Sequence, residues 1–261
     1  MRVPVVQHRG RRRRALGRRA LWTGGEFLVT AGVVLLLLVV HELWWTNREA
    51  RQGAEHQVRA LERQWATPGA VSGGTATANT GLVGGSSPRR GTSADGSTTP
   101  AGSTGSASAP HRSQAYAVLT IPRLHLRVPI AEGVSKQNVL NKGYVGHYPG
   151  NQQPGQAGNF ALAGHRNTHG EPFRYLPRLR LKDTVQVETS VATFTYTVDK
   201  ILPQTSAIDS GVIRPIPRSI VRPAYGFSQP GYYVTLTTCT PEFTSRYRMV
   251  VWGTLTSTRA R

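Results

Sequence analysis

Short runs of Val, Ile, Leu, Thr and Tyr recur through the second half of the chain, and one long apolar run lies near its start. From Gln114 onward the runs are YAVLTIP, LRVPI, NFALAG, TVQVET, TFTYTVDKIL, YYVTLTTC and YRMVVWGTL, separated by Gly, Pro, Asn and Asp. β-Branched and aromatic stretches bounded by turn formers are the pattern of strands. Between Thr193 and Val198 the alternation is nearly strict. It puts apolar side chains on one face and threonines on the other, as a half-buried antiparallel strand requires. Helical periodicity is scarce here, and Pro172 to Leu179 predicts a single short turn. Some eight strand candidates in about 148 residues predict an all-β fold, an eight-stranded closed barrel with one or two short helices. Closure removes the exposed edges that an open sheet would leave.

The early run reads differently. Phe27 to Val40, FLVTAGVVLLLLVV, carries no charge, and apolar character extends from Leu21 to Trp45. About 20 residues of helix cross a hydrocarbon core, so 21–45 is long enough to span. Glu26, His41 and Glu42 fall where the interfaces would be, and Trp22, Trp44 and Trp45 fit aromatic belts. Eight arginines stand within the first 20 residues. Positive charge stays inside, so residues 1–20 are expected in the cytoplasm and everything past Trp45 outside. A signal peptide shares the charged start and apolar core. No small-x-small cleavage site follows Val40 directly, and a retained single-pass anchor in the cell membrane is the favoured reading. A merely buried core helix would not need eight arginines before it.

After the anchor, 46–65 has helix-forming composition with mixed charges and predicts a solvated juxtamembrane stalk. Gly53 weakens that helix by about 1 kcal/mol relative to Ala. From 66 to 113 the chain is Gly, Ser, Thr, Ala and Pro, with too little apolar surface to offset the entropy of ordering. This predicts a disordered, flexible linker with a reach on the order of 40 Å. The folded domain is then 114–261.

The formal net charge of +19 would ordinarily suggest nucleic acid. Its concentration before the apolar run makes it first a topology signal. The domain from Gln114 onward still holds 17 Lys or Arg against seven Asp or Glu. An extracellular location makes anionic wall polymers the expected electrostatic partners and disfavours nucleic acid.

Cys239 is the only cysteine, so it forms no internal disulfide and serves either packing or reactivity. Buried inert cysteines are the commoner case. A free thiol is only a few per cent thiolate at pH 7 and needs a nearby base or cation to act as a nucleophile. His165, in GNFALAGHR, can supply the base. An Arg on the following strand can stabilise the oxyanion of an attacked carbonyl. Arg246 and Arg248 are two apart, face the same way in a strand and are not separated by periodicity. His125, His147 and His169 lie in no such motif and read as surface or structural residues, although His147 sits in GHYPG. Arg166 reads equally as a surface charge or a substrate contact. Few acidic residues and one Cys with scattered His leave no recognisable metal site.

The pairing of LAGHR with TLTTC and a following Phe-x-x-Arg-x-Arg resembles the sortase family, membrane-anchored cysteine transpeptidases of Gram-positive bacteria. GHYPG, GNFALAGHR and TLTTCTPEF are similar to the class E group of actinobacteria. Thr240 departs from the His usual after the tetrad in that class. The likeness covers about Tyr116 to Leu255 and includes the anchor-and-tether layout. It implies a sortase-type barrel with His165, Cys239 and Arg248 as catalytic residues, and Thr238 and Arg248 beside substrate, with no cofactor. It also implies cleavage of a C-terminal sorting signal of a secreted protein, Leu-Ala-x-Thr-Gly or Leu-Pro-x-Thr-Gly, between Thr and Gly. The thioacyl enzyme would pass the protein to an amine of a lipid-linked peptidoglycan precursor. Three other readings remain: an inactive or wall-binding β-domain on a membrane tether, a hydrolytic cysteine peptidase, and a nucleic-acid binder. The Pro- and Gly-rich stretch from Ala207 to Gly231 is expected to form a long loop beside the site, since loops of that length are often functional.

Overall fold

Eight strands close into one barrel in the order β1-β2-β3-β4-β7-β8-β6-β5 in the computed structural model, which describes residues 9–66 and 110–261. They are β1 (Ala115–Ile121), β2 (Leu126–Glu132), β3 (Val145–His147), β4 (Gly158–Ala163), β5 (Thr184–Glu188), β6 (Ala192–Ser206), β7 (Tyr232–Thr240) and β8 (Tyr247–Ala260). Seven of them match the apolar runs of the sequence. The eighth, β3, falls inside GHYPG, and three residues are too few to show a period.

Two rungs are parallel, β2 with β3 and β4 with β7; every other neighbour is antiparallel. The central core gathers Leu119, Ile130, Phe160, Leu162, Val187, Tyr196, Val234, Leu236 and Val251 from seven of the strands. In β6, Tyr196 and Val198 face inward, as the Thr193 to Val198 alternation predicts. The helical content of the barrel is four single 3-10 turns, one of them Leu176–Arg178 within the expected stretch.

β7 is buried on both faces. Val234 and Leu236 enter the core, while Thr235 and Thr237 on the opposite face are covered and satisfied by hydrogen bonds: Thr235 Oγ1 donates to Asn159 Oδ1 at 2.7 Å, Thr237 Oγ1 to Leu162 O at 3.0 Å. Threonine suits this position because its methyl packs while its hydroxyl finds a partner.

N-terminal to the barrel runs one continuous helix, α1 (Arg9–Ala66). Its stretch from Gly24 contains an 18-residue window of mean hydropathy 2.2, none of it buried, so it is long and apolar enough to cross a membrane. The helix does not break at Trp45. Beyond it, Ala50, Ala54, Val58 and Leu61 form one face at helical spacing and pack on the barrel, Val58 and Leu61 against Val118. The solvated stalk of the sequence reading is therefore corrected to a docked helix. Apolar side chains spaced by four and three residues, Ala50 and Ala54 then Val58 and Leu61, make the buried stripe, a pattern hidden among the charges around it. Trp65 and Ala115, on either side of the predicted linker, belong to that same cluster. The linker itself, over 67–109, lies outside the described residues, as do residues 1–8 of the arginine-rich segment.

Candidate active site

Cys239 stands near the end of β7, where the ladder with β8 pairs it directly with Arg248. Strand alternation puts its side chain on the same face as Thr235 and Thr237. Thr237 and Arg248 line a cleft of about 190 Å³ together with Tyr148, Ser206, Ala207, Ile208, Asp209, Ser210, Val212 and Ile213. Arg248 donates from Nη1 to Ser245 O at 2.7 Å and Tyr247 O at 3.0 Å. Arg246 lies just outside β8 with its guanidinium over the Tyr247 ring, 5.2 Å from the centroid. The ladder thus separates the two arginines that periodicity does not.

The histidine arrives from the parallel neighbour. β4 ends at Ala163, opposite Thr237, and Gly164 N donates to Thr237 O at 3.1 Å while Thr238 Oγ1 donates to Gly164 O at 2.9 Å. His165 follows at once, so the two ends are joined one residue away from both His165 and Cys239. Thr238 is buried, with its hydroxyl spent on this joint; the cleft is lined by Thr237 instead. Arg166 donates to Cys239 O at 3.2 Å and Thr240 Oγ1 at 2.9 Å. It is half-buried, and its hydrogen bonds make it a second tie between the His165 loop and the end of β7.

Asn141 Oδ1 lies 2.9 Å from His165 Nε2. An amide oxygen only accepts, so Nε2 carries the proton and Nδ1 is the basic nitrogen of the neutral ring. Burial, then the neighbouring His169 and Lys136, lower the His165 pKa from 6.5 to about 4. His169 stacks on His165 with ring centroids 5.4 Å apart. No motif surrounds His169, and Asn141 lies 24 residues from His165; the sequence carried no signal for either partner. His147 is fully buried, 2.7 Å from Glu132 Oε2 through Nδ1 and 3.1 Å from Gln152 O through Nε2, and packs on Phe160. It is structural. His125 is exposed, closing the turn after β1 in a left-handed conformation. Among the described residues no group of three His, Cys, Asp or Glu is placed to hold a metal.

One wall of the cleft is the start of the loop that runs from Ala207 to Gly231, its residues between Ala207 and Ile213, and it is fixed from below. Trp252 Nε1, Asn151 Nδ2 and Asn159 Nδ2 donate to three successive carbonyls, Val212 O, Ile213 O and Arg214 O. Asp209, buried at its base, accepts from Thr205 Oγ1, Ser219 Oγ and Ile220 N. Of the loop expected beside the site, only the part between Ala207 and Ile213 lines the cleft.

The sortase domain family matches residues 119–256, which contain His165, Cys239 and Arg248. The chain belongs to the sortase family. Members of that family are cysteine transpeptidases. Sortase SrtE1 of Streptomyces coelicolor is 41% identical over 242 residues, covering 91% of this chain and 57% of that protein. This chain thus spans little more than half the length of that relative. Sortase SrtE2 of the same organism is 33% identical over 257 residues, covering 95% of this chain and 88% of that one. A crystal structure of sortase E1 from S. coelicolor, with a tripeptide in its active site, superposes with a TM-score of 0.54 at 50% identity, over 59% of this chain and 94% of that one. The barrel described above is the sortase barrel, and the likeness to class E sortases agrees with the motifs of the sequence.

Proposed function

We propose that this sortase is a membrane-anchored transpeptidase that cleaves a C-terminal sorting signal between Thr and Gly and joins the protein to an amine of a lipid-linked peptidoglycan precursor. The observation that carries the reading is the Cys239–Arg248 rung, with the His165 loop hydrogen-bonded to the same end of β7. In the first half, His165 Nδ1 takes the Cys239 proton as the sulfur attacks the threonine carbonyl carbon. The C–N bond to glycine breaks, the imidazolium returns the proton to the leaving amine, and a thioester remains. In the second half the acceptor amine attacks the thioester, gives its proton to His165, and the thiol is restored as the new amide forms.

Arg248 holds substrate and developing oxyanion. The hydrogen bonds described for it use Nη1 alone, which leaves the Nη2 and Nε donors of its fork for that purpose. A neutral His165 at pH 7 suits the role of base. The anchor orientation proposed is cytoplasmic for the arginine-rich start and extracellular for the barrel, on the positive-inside pattern.

The test incubates the full chain in detergent or bilayer with Leu-Ala-x-Thr-Gly and Leu-Pro-x-Thr-Gly peptides and a glycine amine, reading products by mass spectrometry. Cleavage after Thr with amine addition, and none with Cys239→Ala, is the expected result. Hydrolysis without amine addition would assign a peptidase instead, and no thioacyl species with either peptide would overturn the proposed substrate class.

A further inference from the structure

α1 meets the barrel at one place that matters for chemistry. Asn47 Nδ2 donates to Glu171 Oε1 at 3.0 Å, and Gly170 N donates back to Asn47 Oδ1 at 3.2 Å. One turn on, Arg51 donates from Nε to Gly170 O at 3.1 Å and from Nη2 to Glu171 Oε2 at 2.8 Å. Glu171 is 6% exposed and also accepts from Arg174 Nη1, so its charge is met from both the helix and its own loop. Between these two residues Ala50 lies against Gly143 and Gly170. Both glycines have positive φ, +78° and +83°, and a Cβ on Gly143 would stand 2.8 Å from Ala50 O. Only glycine lets the helix approach so closely there.

Gly170 and Glu171 end the loop that begins at His165, whose carbonyl accepts from Phe173 N at 2.9 Å. Gly143 follows the turn that carries Asn141, the hydrogen-bond partner of His165. The helix therefore grips both segments that hold the imidazole. We propose that Asn47, Ala50 and Arg51 make the juxtamembrane part of α1 a positioning element for His165, so that the sortase works with its active-site loop fixed at the membrane surface. The inference rests on the sortase reading for the role of His165 and on the anchor reading for the membrane. Asn47 and Arg51 lie two and six residues beyond Trp45, about 3 and 9 Å along the helix at ~1.5 Å per residue. The distance of the histidine loop from the bilayer is set by this helix, and the 40 Å reach of the linker does not enter.

The test compares full-length wild type in nanodiscs with Asn47→Ala/Arg51→Ala, Ala50→Leu and Arg51→Lys. Three readouts apply: kcat and KM for transpeptidation, the pH profile of Cys239 alkylation, and the melting temperature. The double variant and Ala50→Leu are expected to lower kcat by about ten- to a hundredfold with little change in KM, as small misplacements of a catalytic group do. Their alkylation profile should move toward higher pH on its acid side as solvent reaches His165, with Arg51→Lys in between. Unchanged kcat and profile in both variants would overturn the proposal; so would a lower kcat explained by a lower melting temperature alone, with the profile unmoved. Alkylation needs no peptide, so a wild type inactive on sorting peptides would sink the substrate assignment while leaving this test readable.

Discussion

The two flanks of the active site are built by different means. Cys239 and Arg248 are placed by the backbone ladder of two long antiparallel strands, with both faces of β7 covered. His165 is placed by side chains: Asn141 on its ring, Arg166 and Thr238 tying its loop to β7, and α1 bracing the far end of that loop. A ladder distributes position over many equivalent bonds, and no single substitution moves it far. A loop held by a few side chains can be shifted by losing one. The cysteine side is rigid by construction, whereas the histidine side is open to adjustment, including from α1.

The comparison predicts that substitutions on the ladder side act through the lost group itself. Arg248→Ala is expected to lower kcat/KM by about 10²–10³-fold, the scale of losing an oxyanion donor. Arg248→Lys should recover little, because a point charge does not reproduce the fork. Arg246→Ala, by contrast, should stay near wild type, since its guanidinium only covers Tyr247. Steady-state kinetics on the three variants checks this, and a larger loss at Arg246 would reverse the assignment of the pair.

On the histidine side, Asn141→Ala should cost about tenfold in kcat, a fraction of the 10²–10⁴ that a general acid and base supplies. It also tests the charge state. The pKa of His165 lies below its ordinary 6.5, at about 4, so the neutral base persists as pH falls and the acid limb of wild-type activity is expected below pH 6.5. Between about 6.5 and 4 the unfolded chain binds more protons than the folded one, so His165 lowers stability as pH falls through that window. Lys136→Ala removes a cation that disfavours the imidazolium and should move the acid limb upward by a smaller amount.

The smallest effect on catalysis is expected at the base of the cleft wall. Asp209→Asn leaves one oxygen for Ile220 N and replaces Oδ2 by an NH2 group, so the Thr205 and Ser219 hydroxyls lose their shared charged acceptor and must turn to accept instead. A loss of about 1–3 kcal/mol follows, read by thermal melting. Peptide KM should rise more than kcat falls, because the loop borders the cleft and touches neither reactive side chain.

Much of the fold was written in local pattern. The alternation of Thr193 to Val198, the apolar runs and the turn residues between them specify strands because their period of two is a property of the pleat. The long uncharged run specifies a helix long and apolar enough to cross a membrane, because the bilayer sets the length required. Cys239, His165 and Arg248 were legible as candidates through their motifs. What local pattern lacks is long-range pairing. β3 was too short to show a period, and Ala50, Ala54, Val58 and Leu61 were read as part of a solvated stalk because the surface they pack on is built from residues far along the chain.

The sequence alone thus determined the class of fold, the presence of an apolar helix long enough to span a membrane and the three candidate residues of the site. Tertiary structure alone decided that Arg248 and not Arg246 faces Cys239, that Asn141 and His169 attend His165, that Thr237 and not Thr238 lines the cleft, and that α1 braces the histidine loop. Those outcomes depend on strand register and on contacts between segments, some of them far apart: Asn141 and His165 are separated by 24 residues, Asn47 and Glu171 by 124. No local periodicity encodes them, because they are fixed by the register of the closed barrel and by the packing of α1 against it.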